Sequence, residues 1–177
     1  LKVINLFAGP GARKSTKAAG IFHHLKSQNL NCEAVWEYPK DIVWERSWDL
    51  LDDQIHIFGE QQRKLYRLRG KVEYVVNDSP LLLSIVYGAK AHKKYLDGWQ
   101  YNFIKFVLDI HNQYNNINFF VNRDDHFKTE GRQQTRAEAV VKDDEIKHML
   151  IRLGIDFTMV SNITEILDIL REQDVRI

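Results

Sequence analysis

Residues 3–16 read VINLFAGPGARKST, an apolar run that enters a glycine-rich turn and leaves it through Lys14, Ser15 and Thr16. These residue types in this order suit polyphosphate chemistry. Successive backbone N–H groups of such a turn point inward and cradle phosphate oxygens. A lysine then reaches the β- and γ-phosphates of a nucleotide, and the hydroxyl after it binds Mg²⁺. Lys14 and Ser15 take those two places. The spacing predicts a strand over Val3–Phe7, a loop through Gly9, Pro10, Gly11, Ala12 and Arg13, and a helix opening near Lys14. The positive end of that helix faces the phosphates.

One residue departs from the phosphate-loop pattern. In G-x-x-x-x-G-K-[ST], Lys14 puts the first glycine position at Ala8 and the second at Arg13. The second glycine lets backbone approach phosphate without a side chain in the way. Gly9 and Gly11 keep the loop feasible, while Arg13 leaves its activity open.

Further groups for this chemistry stand at the ends of predicted strands, where ligands of open α/β sheets bind. Asp78 follows the hydrophobic run VEYVVN, the layout of a carboxylate that holds Mg²⁺ directly or through water. Asp78-Ser79-Pro80 also reads as the start of a helix, with proline in its first turn. Glu37 ends the second strand and is placed to accept a proton from a substrate hydroxyl; a solvated acid paired with Lys40 or Arg46 is the other reading. Tyr38 and Trp44 offer flat surfaces for a base or sugar, or serve the core. Between the fourth strand and the next long helix lies NRDDHFKTEGRQQTRAE, polar and charged. Loops this long in a compact domain are usually functional or mobile. Arg123 and Arg132 are the candidates here for lid cations that close over a transferring phosphoryl group, against a plain solvated loop.

The elements that must position these groups alternate. Predicted strands cover Val3–Phe7, Cys32–Glu37, Val72–Asn77, Ile117–Asn122 and Phe157–Val160. Helical patterns cover Lys14–Gln28, Val43–Arg69 with a possible kink at Gly59, Gly98–Tyr114, Thr135–Leu153 and Thr164–Arg171. In the second of these, Trp44, Trp48, Leu51, Ile55, Phe58, Leu65 and Leu68 form a stripe at helical spacing. In the third, Trp99, Phe103, Phe106 and Ile110 point inward. Alternation of this kind predicts an α/β fold with a parallel sheet covered on both faces.

Composition excludes several classes. The 177 residues suit one domain with a substantial core, and 44% hydrophobic with 28% charged residues describes a globule rather than a disordered chain. A net charge of +1 gives no general attraction to nucleic acid or anionic membrane. The seven histidines lack metal-ligand spacing and Cys32 is the only cysteine, which argues against a cysteine zinc site or disulfides. No apolar run approaches the roughly 20 residues of a membrane helix, and the start lacks a signal-peptide layout, so a cytoplasmic location is expected.

With these residues in view, the chain resembles P-loop nucleoside and nucleotide kinase-like proteins. Within that group it looks most like small ATP-binding proteins of tailed bacteriophages, related to the nicotinamide riboside kinase domain of bacterial NAD-biosynthesis regulators. The segments that carry the resemblance are LFAGPGARKST, WEYPKDIVWE (residues 36–45), VVNDSPLLL (75–83), NINFFVNR (116–123) and EGRQQTRAEA (130–139). It implies one domain over residues 1–177, a three-layer P-loop fold with a five-stranded parallel sheet ordered 2-3-1-4-5, and a lid near residues 123–135. It also implies ATP with Mg²⁺ as phosphoryl donor, bound by Gly9 to Thr16, with Ser15 and Asp78 at the metal. Glu37 falls at the family's acid after strand two, Asp78 at the acid after strand three, and Arg132 at a lid arginine. The family's usual glycine is Arg13 here, and Lys17 stands where a small or hydroxyl residue is more common.

The resulting expectation is an ATP-dependent phosphotransferase acting on a hydroxyl of a nucleoside- or nucleotide-like small molecule. Its expected catalytic groups are Lys14, Glu37, Asp78, Arg123 and Arg132. Two alternatives stay open: a nucleotide-binding regulatory sensor without turnover, and a kinase acting on hydroxymethylated pyrimidine in phage DNA. A DNA acceptor calls for a basic groove, which the near-neutral charge does not favour.

Overall fold

The computed structural model describes residues 1–88, 98–123 and 135–173. Five short strands, β1 (Lys2–Phe7), β2 (Cys32–Val35), β3 (Tyr74–Asn77), β4 (Asn115–Val121) and β5 (Thr158–Val160), form one sheet in the order β2-β3-β1-β4-β5, and every pairing is parallel. β1 lies at the centre, with Val3 opposite Val75 and Asn116. The expected sheet and strand order are therefore present.

Alternation along the strands divides the core in two. Val3, Phe7, Val75 and Phe120 face one way, where they pack with Phe58 and Leu65 of α3 (Gln54–Tyr66), Val86 of α4 (Leu83–Gly88), Val107 of α5 (Trp99–His111) and Ile146 of α6 (Arg136–Arg152). Ile4, Leu6, Val76, Phe119 and Val121 face the other way, onto Ala18, Ile21 and Leu25 of α1 (Lys14–Ser27) and onto Ile166 and Leu170 of α7 (Ile163–Glu172). Two covered faces explain why these strands read as near-continuous apolar runs.

One polar stripe crosses the sheet. Asn77 Nδ2 donates to Asn5 Oδ1 at 2.9 Å, and Asn5 Nδ2 donates to Asn116 Oδ1 at 2.9 Å and Asn118 Oδ1 at 3.0 Å. Buried amides must be paired, so this ladder favours one register of β3, β1 and β4 over a slipped one. Asn77 Oδ1 also accepts from the Ser79 backbone N–H, which ties the ladder to the turn that carries Asp78.

The helical pattern over Val43–Arg69 is not one helix. It divides into α2 (Tyr38–Glu45), a 3₁₀ turn over Trp48–Asp52, and α3. The break falls at Arg46, which closes α2 in a left-handed conformation at φ 58°, and not at Gly59, which sits inside α3. Asp53 starts α3 by accepting the His56 N–H. In consequence Trp44, Trp48 and Ile55 are exposed rather than inward, with Trp44 71% accessible; Phe106 of α5 is also exposed. The helix read as opening at Asp78-Ser79-Pro80 begins later, as the apolar α4 at Leu83, and β2 stops at Val35, two residues short of Glu37.

His111, at the end of α5, is buried, and burial pushes its pKa from 6.5 down to about 4. Across that window the unfolded chain binds more protons than the folded one, so stability falls as pH drops from 6.5 towards 4. His111→Leu is expected to remove about 2–3 kcal/mol of the stability lost between about pH 7 and about pH 4.5. Denaturant titrations of both proteins at the two pH values measure it; equal losses would contradict it.

Candidate active site

The loop from Ala8 to Arg13 leaves the carboxyl end of β1 and delivers the chain into α1 at Lys14, as the motif requires. Gly11 takes φ 84°, and Arg13, the N-cap of α1, takes φ 60° and ψ 31°. The position where the pattern wants glycine therefore adopts a backbone that favours glycine, at a cost of about 1–2 kcal/mol for an L side chain. The Arg13 side chain itself is exposed. We expect Arg13→Gly to relieve this strain, raising stability by about 1 kcal/mol and tightening ATP·Mg²⁺ binding several-fold. Calorimetry of both forms reads the outcome; equal or weaker binding by the variant would make Arg13 a functional contact instead.

Lys14 Nζ donates to the carbonyls of Ala8 at 3.0 Å and Gly9 at 3.3 Å, which holds its ammonium against the loop. The Ser15 hydroxyl donates to Asp78 Oδ2 at 2.6 Å. Asp78 follows β3, is 2% exposed, and its N–H bonds to Val35 O. Its other oxygen, Oδ1, is buried with no hydrogen-bond partner among the described residues. A buried carboxylate oxygen left over beside a serine hydroxyl is the hard oxygen donor set that suits Mg²⁺. Asp78 does not cap α4, which begins only at Leu83 after a turn closed by the Leu83 N–H to Pro80 O bond.

Glu37 stands at the N-cap of α2 without a side-chain cap bond and is half-buried at the carboxyl side of β2. α3 braces this corner: Gln61 Oε1 accepts the Tyr38 N–H at 3.2 Å, the Tyr38 hydroxyl meets His56 Nε2 at 2.8 Å, and Lys64 Nζ reaches Trp36 O and Asp41. Gln61 is 3% exposed and its Nε2 has no partner among the described residues. Trp44 is exposed on α2, which counts against the reading that places it in the core.

Arg123 is held from several sides. Its Nε and Nη2 reach Asp143 Oδ2 at 2.9 and 2.8 Å, Nη1 donates to Pro10 O at 2.8 Å, and Nη2 also approaches Ala139 O at 3.3 Å. Asp143 Oδ1 accepts the Gly9 N–H at 2.6 Å, so this N–H, expected among the phosphate donors, points at a carboxylate. The sequence reading missed Asp143. The available signal was its place on the inward stripe Ala139, Asp143, Ile146 and Leu150, where an acid stands among apolar residues. Burial raises the Tyr87 hydroxyl well above its ordinary pKa; the charges of Glu37, Asp143 and Glu145 add to this, and Arg123 opposes it. Glu37 and the Arg123–Asp143 pair thus share one electrostatic neighbourhood. Arg132, with residues 124–134 of the expected lid, lies outside the described residues.

A central parallel strand, a loop closed by Lys14 and Ser15, and an acid after the neighbouring strand together define the P-loop kinase fold. Solved structures share it. A deoxyadenosine kinase from M. mycoides with bound dATP matches at TM-score 0.63 and 17% identity, covering 97% of this chain and 100% of that one. The structure of deoxyadenosine kinase from the same organism with the products dCMP and a flexible dCDP matches at TM-score 0.57 and 15% identity, over 98% of each chain. A third, with bound dCTP, matches at TM-score 0.58 and 16% identity, over 97% of this chain and 100% of that one. No family model matches the chain, and no curated protein matches it.

Proposed function

We propose that this protein is an ATP-dependent phosphotransferase whose acceptor is a hydroxyl of a nucleoside- or nucleotide-like molecule, with residues 1–177 as one domain. The observation that carries the reading is the Ser15–Asp78 bond beside the loop of Lys14, with Asp78 Oδ1 buried and unpartnered among the described residues. The fold neighbours, whose bound molecules are dATP, dCTP and dCMP with dCDP, favour a deoxynucleoside as acceptor.

Each residue then has a task. The N–H groups from Gly11 to Thr16 and the Lys14 ammonium bind the β- and γ-phosphates, the ammonium exchanging the Ala8 and Gly9 carbonyls for phosphate oxygens. Ser15 and Asp78 are the residues that would hold Mg²⁺, which would supply positive charge to those phosphates. Glu37 accepts the proton of the acceptor hydroxyl as the hydroxyl oxygen bonds to the γ-phosphorus, whose bond to the β–γ bridging oxygen breaks to release ADP. The Gln61 amide, close behind Tyr38, offers a donor for a base edge. Arg132, from the segment expected to form the lid, supplies further positive charge around the transferring group.

The left-handed Arg13 favours a second reading, a nucleotide sensor that binds without turnover. Incubation with γ-labelled ATP, Mg²⁺ and a panel of ribo- and deoxynucleosides separates the two. A labelled nucleoside monophosphate supports the kinase. Saturable ATP binding with no labelled product from any acceptor supports the sensor.

A further inference from the structure

We propose that Arg123 and Asp143 form a clasp that sets the shape of the phosphate loop, which makes both positioning residues rather than groups that meet the phosphates. The two lie on different elements, Arg123 just after β4 and Asp143 within α6. The side chains are nearly enclosed, with accessibilities of 9% each. An ion pair so placed contributes little net stability by itself, because desolvation offsets the attraction. Its remaining bonds reveal its use. Asp143 Oδ1 takes the Gly9 N–H, and Arg123 Nη1 gives to Pro10 O, so the pair grips polar groups of two consecutive loop residues. These are the residues just before Gly11, where the backbone turns to φ 84°.

Close packing makes the grip specific. A Cβ at Gly9 would stand 2.8 Å from Ala139 O and 2.9 Å from Asp143 Oδ1, so only glycine lets the loop lie this near α6. Arg123 Nη2 reaches that same Ala139 carbonyl. The electrostatics have a consequence of their own. Asp143 is a buried carboxylate beside a loop meant for phosphate, and Arg123 is the cation that neutralises it. Removing the arginine alone leaves an unpaired buried anion against the loop backbone. Removing both charges while keeping an acceptor for Gly9 removes the unpaired anion and retains the Gly9 bond, losing, of the two loop bonds, only that of Arg123 to Pro10 O.

A charge cycle with Arg123→Met, Asp143→Asn and the double variant tests this, read by amide hydrogen exchange on the protein without nucleotide. Arg123→Met is expected to speed exchange of residues 8–16 at least about tenfold over other segments, and the double variant to regain most of the protection. Unchanged exchange there, an equal rise in β1 and β4, or no recovery in the double variant overturns the clasp. If Arg123→Met does not fold, Asp143→Asn, which retains an oxygen for Gly9, still decides: faster exchange confined to residues 8–16 supports the clasp, and unaltered or globally faster exchange opposes it.

The relevance of the clasp to binding rests on the proposed function, so ATP·Mg²⁺ affinity is measured on the same proteins. Affinity that weakens in step with loop exchange extends the clasp to the nucleotide site. Absence of ATP binding in the unmodified protein defeats the proposed function, while the exchange rates still decide the clasp.

Discussion

Replacing Lys14 by alanine is expected to abolish measurable ATP·Mg²⁺ binding at millimolar nucleotide and to lower phosphoryl transfer by about a thousandfold. Lys14 carries the cation at the mouth of the loop, fixed there by the Ala8 and Gly9 carbonyls. It stands at the start of α1, so under the proposed function ammonium and helix end would act on the same phosphate oxygens. Under the proposed function, its loss removes charge-assisted bonds to the transferring group. Folding should hardly change, because the side chain is only half-buried and its carbonyl partners can turn to water. Calorimetry with ATP·Mg²⁺, a transfer assay and a melting curve on the one variant measure all three. Unaltered nucleotide affinity would remove Lys14 from the phosphate site.

Asp78→Asn is the second large effect. The amide keeps an oxygen for the Ser15 hydroxyl, so packing at this 2% exposed position survives, but the negative charge beside Ser15 is gone. Transfer should fall by about a hundredfold to a thousandfold, and the Mg²⁺ concentration needed for half-maximal rate should rise. Initial rates across a Mg²⁺ series at fixed ATP give both quantities. A Mg²⁺ dependence identical to that of the unmodified protein would reduce Asp78 to a structural acceptor for Ser15.

These expectations draw on features that the sequence carries in local form. The loop from Gly9 to Thr16 is contiguous, so its order of residues is enough to place Lys14 at the first helical position. Alternation of strands and helices predicts the parallel sheet covered on both faces, whereas its order β2-β3-β1-β4-β5 is implied by the resemblance to P-loop kinase-like proteins. The break near Ser47 was hidden because Trp44 and Trp48 continue a helical spacing that the chain does not use. Arg46 turns left-handed between them, and the deciding signal was Asp53, a helix N-cap farther along the chain. The six residues of α4 are apolar on nearly all sides, which gives periodicity nothing to detect.

At the site, residue order assigns each candidate an address but not its partners. Asp78 and Ser15 are 63 positions apart, and their hydrogen bond exists only because β3 lies beside β1. Arg123 reads in isolation as a cation free to meet phosphate. In the fold it is bound to Asp143, which lies 20 residues away on α6 and grips Gly9 in turn. Long-range ion pairs of this kind leave no local pattern beyond an acid on an apolar face. The strain at Arg13 is a contrasting case, since the motif marks the position and the backbone angle agrees with it.

The most direct test of the central claim is a titration of the isotope-labelled protein with ATP·Mg²⁺, followed through its backbone amide resonances. The account predicts saturable shifts that are largest from Gly11 to Thr16, with smaller ones at Asp78 and Glu37. Shifts centred on another part of the sheet, or none at saturating nucleotide, would contradict it.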